Sequence, residues 1–156
     1  MAGRMKLFVV RHAKAGDREK WTEPDHLRPL TKPGREQAVA LVAQLADFVI
    51  DRVISSPYVR CVETVEPLAA GRGVEVEEHD ALAEGAFLED TSKLIGSLDG
   101  PAALCTHGDV LGWLIADLRS RGIPGADPSL GKKGSTWVLD LVDGEVTAGT
   151  YLEPPA

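Results

Sequence analysis

The sequence predicts an α/β fold: a single-domain, three-layer sandwich over residues 1–156, its mostly parallel sheet covered by helices on both faces and completed by a C-terminal β-hairpin. Three observations predict it. Short apolar runs, "KLFVV" with its β-branched residues, "RVISS" and "AALCTH", are separated by longer stretches of helical periodicity. Strands alternating with helices imply parallel pairing, because each crossover helix packs back onto the sheet. The chain then closes with two strand-like runs flanking Asp143-Gly144, a dipeptide suited to a tight hairpin.

"KLFVV" (6–10) reads as a fully buried first strand, followed by a polar loop to Pro29. Thr31 can cap a helix with Pro33 in its first turn, and Ala38, Leu41, Val42, Leu45 and Val49 then recur at helical spacing. "RVISS" (52–56) is a second strand. Pro57 opens a further helix, with Val62, Val65 and Leu68 on one side and "GRG" at its end. "VEVEE" (74–78) fits an edge strand, and "LEDTSKLIGSL" (88–98) a weakly patterned helix. "AALCTH" (102–107) leads into the helix "GDVLGWLIADLRSRG" (108–122), and "STWVLDLV" and "EVTAGTYL" form the hairpin. Neither repeats nor linkers interrupt this order, so one domain is expected.

At 156 residues the chain can bury a real core without disulfides. Cys61 and Cys105 are too few and too scattered for a disulfide framework or a zinc site, which points to a reduced compartment. The opening ten residues hold no apolar run longer than five, too short for a signal-peptide core. No stretch approaches the roughly 18 apolar residues of a membrane helix. A cytoplasmic protein without membrane contact is expected. The net charge of −7 argues against binding a nucleic-acid polymer. Residues 1–36 nevertheless hold nine Lys and Arg against five Asp and Glu, while the remainder holds eight against nineteen. That local excess can attract a smaller anion.

In parallel α/β sheets, ligands sit beyond the carboxyl ends of the strands. Arg11 and His12 end the first strand, His107 ends another, and Arg60 lies near the start of the helix after the second. Two arginines and two histidines on one rim suit a tetrahedral anion, since guanidinium forks match phosphate oxygens and stay charged. Helix N-termini after Pro57 and His107 add backbone N–H groups. A neutral imidazole can attack phosphorus and split hydrolysis into two displacements. Nearby arginines disfavour protonation of His12 and keep it nucleophilic. With guanidinium groups neutralising the phosphoryl oxygens, no cofactor is required. Two histidines without matched carboxylates do not make a metal set.

These segments carry a resemblance. "RHA" after the first strand, "SSPYVRCVET" (55–64) and "CTHGDVL" (105–111) resemble the motifs of the histidine phosphatase (phosphoglycerate mutase-like) superfamily. "RPLTKPGREQA" (28–38) is similar to its short branch, the SixA-type phosphohistidine phosphatases. "RCVETVEPLA" (60–69) also resembles the phosphatase-like domain fused to some MutT-type Nudix hydrolases. The resemblance covers essentially the whole chain. It implies that His12 is the phosphorylated nucleophile, that Arg11 and Arg60 clamp the phosphoryl oxygens and that His107 stabilises the transferring group. Glu84, in "ALAEGAF", is the candidate proton donor to the leaving group, set against the alternative of a solvated loop glutamate.

Two departures stand out. Many relatives have glycine where Ala13 follows His12; a positive φ there would cost alanine about 1 kcal/mol. The loop "KAGDREKW" lacks the asparagine or serine many relatives carry, so Lys14 or Arg18 is expected to supply a phosphate donor. Trp21 and Thr64 are expected to pack rather than to touch ligand, Cys61 and Cys105 to be buried, and His26 and His79 to lie on the surface. Only 47 positions separate Arg60 from His107, which leaves little chain for a lid. An open pocket fits phosphohistidine on a protein partner, with nucleotides or other small phosphomonoesters as the alternative. A noncatalytic phosphate-binding or dimerisation module is the reading from another class.

Overall fold

The computed structural model describes residues 3–155. Among them strands and helices run in the order β1 (Arg4–Arg11), α1 (Lys32–Gln44), β2 (Arg52–Ser55), α2 (Val59–Gly71), β3 (Val76–Glu78), α3 (Leu88–Ser97), β4 (Ala102–Thr106), α4 (Gly108–Ser120), β5 (Thr136–Val142) and β6 (Glu145–Leu152). Single 3-10 turns occupy Asp25–Leu27 and Asp80–Leu82. The sheet order is β3-β2-β4-β1-β5-β6. Its first four strands are parallel, whereas β5 pairs antiparallel with β1 and β6 with β5.

The period-2 geometry of β1 sends alternate side chains to opposite faces, and both faces are covered. Leu7 and Val9 join Ile54, Leu104 and the inward residues of α3 and α4. Phe8 and Val10 join Val53, Cys105 and the inward residues of α1 and α2. All four β1 side chains are essentially inaccessible, each contributing about 1.5–3 kcal/mol by burial. That burial holds the far end of β1 in place. Edge strand β3 has only three residues, with charged, exposed Glu77 and Glu78, which blunts unwanted pairing.

Thr31 caps α1 as its sequence suggests, its Oγ1 accepting from the Gly34 N–H at 3.2 Å. Several element ends differ from expectation by one or two residues, and two differences bear on packing. Helix α1 ends at Gln44, so Val49 is 68% exposed and Phe48 packs on Phe8 instead, with ring centroids 5.0 Å apart. Helix α2 starts at Val59 with Tyr58 as its N-cap, two residues after the proline expected to open it. None of the helices described is long and apolar enough to cross a membrane.

Candidate active site

Strand register assembles the site. Parallel pairing sets Arg11 opposite Thr106 and Ser55 opposite Cys105, so β1, β4 and β2 stop at one rim. The next residues are His12, His107 and Ser56. Backbone bonds continue the ladder one step, from His12 N–H to Thr106 O at 3.1 Å and from Ser56 N–H to Cys105 O at 2.9 Å.

His12 is 6% exposed, with Nδ1 2.8 Å from the carbonyl oxygen of Ala13. A carbonyl only accepts, so Nδ1 carries the proton and Nε2 keeps its lone pair. Burial, reinforced by His107, Arg60 and Arg11, lowers the pKa of His12 to about 3, against the opposing pull of the Ala13 carbonyl. The imidazole is therefore neutral at physiological pH. The His107 ring stands edge-on to it, centroids 5.4 Å apart. His107 Nε2 lies 2.8 Å from Ser56 Oγ and 3.5 Å from Cys61 Sγ, whereas its buried Nδ1 has no partner among the described residues.

Arg11 donates through Nη1 to the Gly131 carbonyl at 2.7 Å, and its buried Nε is unpartnered. Its guanidinium crosses the start of α4 so closely that a Cβ on Gly108 would lie 2.7 Å from it. Arg60, second residue of α2, is fully buried. It donates to the Asp25 carbonyl at 3.0 Å and the Asp25 carboxylate at 3.1 Å, with Glu84 3.5 Å away. Glu84 accepts from Arg18 Nη2 at 3.0 Å. The loop that carries it is tied to α4, since the Gly85 N–H donates to the Asp109 carboxylate at 2.9 Å.

Arg11, His12, Arg18, Glu84 and His107 line one open cleft of about 660 Å³, and Arg60 lies behind it. Lys14 does not line the cleft. Its backbone carbonyl accepts from Thr31 and its side chain is exposed. Trp21 lies outside the lining as well, donating to the Pro24 carbonyl. Thr64 touches the site from below: its hydroxyl accepts from the Ala13 N–H at 3.0 Å and donates to the Arg60 carbonyl at 2.7 Å. The possible positive φ at Ala13 is corrected. Among described non-glycine residues only Asp143 has one, so Ala13 is small because it is buried against Leu30 and Ala38.

Sequence reasoning missed Asp25, Ser56 and Lys133, and counted Arg28 only within the basic excess of residues 1–36. Asp25 gathers Arg28 Nε at 3.0 Å, Arg60 Nη2 at 3.1 Å and Arg18 Nε at 3.7 Å. Its partial burial acts the other way, yet the Arg28 hydrogen bond and the charges of Arg60 and Arg18 hold its carboxyl below the ordinary pKa. The only signal for it was an acid three residues before Arg28. Arg28, 5% exposed, and Lys133 both line the cleft. Among the described residues no three His, Cys, Asp or Glu side chains converge as metal ligands. The arrangement pairs a neutral nucleophilic imidazole with guanidinium and imidazole donors, which suits transfer of a phosphoryl group.

Comparison with known proteins agrees. Residues 7–95, more than half the chain, match the model of the histidine phosphatase superfamily (branch 1). An 8-oxo-(d)GTP phosphatase of Mycolicibacterium smegmatis is 38% identical over 155 residues, taking in 96% of this chain. The chain spans about half the length of that curated relative, 48%. The protein histidine phosphatase SixA in complex with tungstate superposes with a TM-score of 0.79 at 22% identity over 97% of both chains. A mycobacterial glucosyl-3-phosphoglycerate phosphatase has a TM-score of 0.71 at 18% identity, over 98% of this chain and all of the other, 100%. At such identities the two structures share the fold, and their differing substrates show that the fold does not choose among them.

Proposed function

From the premise that the chain belongs to the histidine phosphatase superfamily, we propose a metal-independent phosphatase working through a phosphohistidine on His12. The observation that carries this reading is the neutral His12, its Nδ1–H held by the Ala13 carbonyl and its Nε2 free, in a cleft shared with Arg11 and His107. Nε2 attacks phosphorus in line with the scissile bond, and the leaving oxygen departs with the electron pair. Arg11, Arg60 and His107 donate to the phosphoryl oxygens, neutralising the charge spread over them in the transition state. Glu84 protonates the leaving oxygen and then takes a proton from the water that cleaves the P–N bond.

Two substrate readings are supported by different observations. The 38% identity to an 8-oxo-(d)GTP phosphatase and a cleft of about 660 Å³, in the range of small-molecule sites, favour a nucleotide or similar small phosphorylated anion. The short chain between Arg60 and His107 leaves the cleft uncovered, which favours phosphohistidine displayed on a protein. We place the small anion first.

The test is phosphate release from dGDP, p-nitrophenyl phosphate and a phosphohistidine-bearing protein, with chelator present. The expected outcome is turnover that falls by at least about a thousandfold in His12→Ala, and the ratio of rates ranks the substrates. Activity abolished by chelator would replace the mechanism with a metal-dependent one. Release equal in wild type and His12→Ala would leave the phosphate-binding module.

A further inference from the structure

Three cations line the cleft without a use in the proposed chemistry, and of these Arg18 and Arg28 are paired with acids whereas Lys133 is not. Lys133 lies on the cleft wall, and among the described residues its ammonium meets neither a carboxylate nor a hydrogen-bond acceptor. The adjacent Lys132 behaves otherwise, its Nζ lying 3.3 Å from Glu153. The charges that weigh most on Lys133 are positive, although Asp17, Glu84 and Asp109 line the same cleft. Burial and then Arg11, Arg28, Arg18 and Lys14 lower its pKa, with no acid among the causes. A cation gathered among cations stabilises the molecule only when an anion lies between them.

The position is built, because the Gly131–Ser135 loop is fastened to the end of β1. Arg11 Nη1 donates to the Gly131 carbonyl at 2.7 Å. The Gly134 N–H donates to the carbonyls of Arg11 and His12, both at 3.1 Å, and the Arg11 N–H to the Ser135 carbonyl at 3.0 Å. Gly134 adopts φ +83°, and a side chain there would press on Gln37 at 3.1 Å. Lys133 is thus covalently next to a residue that reads the nucleophile's own carbonyl. Arg28, which shares the wall, is occupied by Asp25 and the Gly16 carbonyl at 3.0 and 2.6 Å, so Lys133 is the available donor. The only aromatic residues in the lining are the two histidines, so the wall recognises charge rather than a stacked ring.

We propose that Lys133 binds a second phosphoryl group of the substrate, next to the one His12 attacks, and that the site therefore prefers a phosphoanhydride, a nucleoside diphosphate or longer polyphosphate, over a simple monoester. The inference rests on the reading of His12 as nucleophile. In the transfer, His12 Nε2 bonds to the terminal phosphorus and the bridging P–O bond breaks. The shortened phosphate leaves with that electron pair, and water later releases orthophosphate from His12.

The test compares kcat/KM for dGDP, dGMP and p-nitrophenyl phosphate in wild type, Lys133→Gln and Lys133→Arg. Calorimetric binding of inorganic pyrophosphate and orthophosphate to the same proteins is measured in parallel. The expected result is a dGDP-to-monoester ratio about 10- to 100-fold lower in Lys133→Gln, the loss of one charge-assisted hydrogen bond, and largely restored in Lys133→Arg. Pyrophosphate should bind wild type more tightly than orthophosphate, and that preference should vanish in Lys133→Gln. A ratio and a pyrophosphate preference that Lys133→Gln leaves unchanged overturn the subsite. Should His12→Ala retain turnover, or wild type have none, while the pyrophosphate preference still depends on Lys133, the nucleophile assignment fails and the subsite stands.

Discussion

Glu84 is engaged by guanidinium groups of the candidate site. Its Oε1 accepts from Arg18 at 3.0 Å and lies 3.5 Å from Arg60 Nη2, a nitrogen that also donates to the Asp25 carboxylate, while Arg60 Nη1 donates to the Asp25 carbonyl. In the proposed mechanism, phosphoryl oxygens entering the cleft compete for these guanidinium groups and leave Glu84 to face the leaving oxygen. Glu84→Gln keeps an acceptor of the same shape but removes the acid. The expected loss of kcat is about 100-fold for an alkyl phosphate, whose alkoxide needs a proton, and only a few-fold for p-nitrophenyl phosphate. Equal losses on both substrates would reduce Glu84 to a holder of Arg18. Arg11, His12 and His107 were legible in the sequence because they follow apolar runs that fix their place, and Arg60 because it lies at the start of the helix after the second strand. Lys14, two residues past His12, was a reasonable donor, but the bonds its carbonyl accepts from the Thr31 N–H and hydroxyl turn the chain away from the rim. Lys133 is 121 positions from His12 in the chain. Only the pairing of β5 with β1 brings it back, and no local pattern carries that information.

Elements act through their ends. The β1–β4 register sets His12 beside His107, and the start of α4 lies under the Arg11 guanidinium. Gly108 is what allows that approach. Alanine in a helix is normally worth up to about 1 kcal/mol over glycine, but here its Cβ would stand 2.7 Å from Cζ and Nη2 of Arg11. The tip of a long side chain can yield, so Gly108→Ala should keep the fold and displace the Arg11 guanidinium, the proposed clamp. We expect kcat/KM to fall about 10- to 100-fold while the melting temperature changes little. Gly112, on the same helix, has nothing within 4 Å of its missing Cβ, so Gly112→Ala should raise the melting temperature and leave activity intact. Equal activity in the two variants would mean that Arg11 does not need its present position. The strand–helix order and the hairpin were legible because β-branched runs and Asp143-Gly144 are local signals. The stop of α1 was not, because Val49 continues the apolar spacing although the chain has already turned.

At the scale of the molecule, the site sets a limit on stability. The net charge is −7, yet the carboxyl edge of the sheet concentrates Arg11, Arg18, Arg28, Arg60 and Lys133 around a buried histidine. In the unfolded chain His12 takes up a proton near pH 6.5, and in the folded protein only near pH 3. Between those values the unfolded state holds one proton more, so each unit of acidification favours unfolding by about 1.4 kcal/mol through this residue alone. The sign is that of a depressed base: stability is complete above pH 6.5 and is lost as the pH falls toward 3. Replacing the histidine removes the linkage. Unfolding free energies from urea titrations at pH 7.5, 6, 5 and 4.5 should fall for wild type and fall less for His12→Gln. The two curves should converge by about 2–3 kcal/mol between pH 6.5 and 4.5. Parallel curves would show that His12 protonates at its ordinary pKa while folded. The imidazole would then be half charged near pH 6.5, and its readiness as a nucleophile would fade in weakly acidic solution instead of persisting toward pH 3.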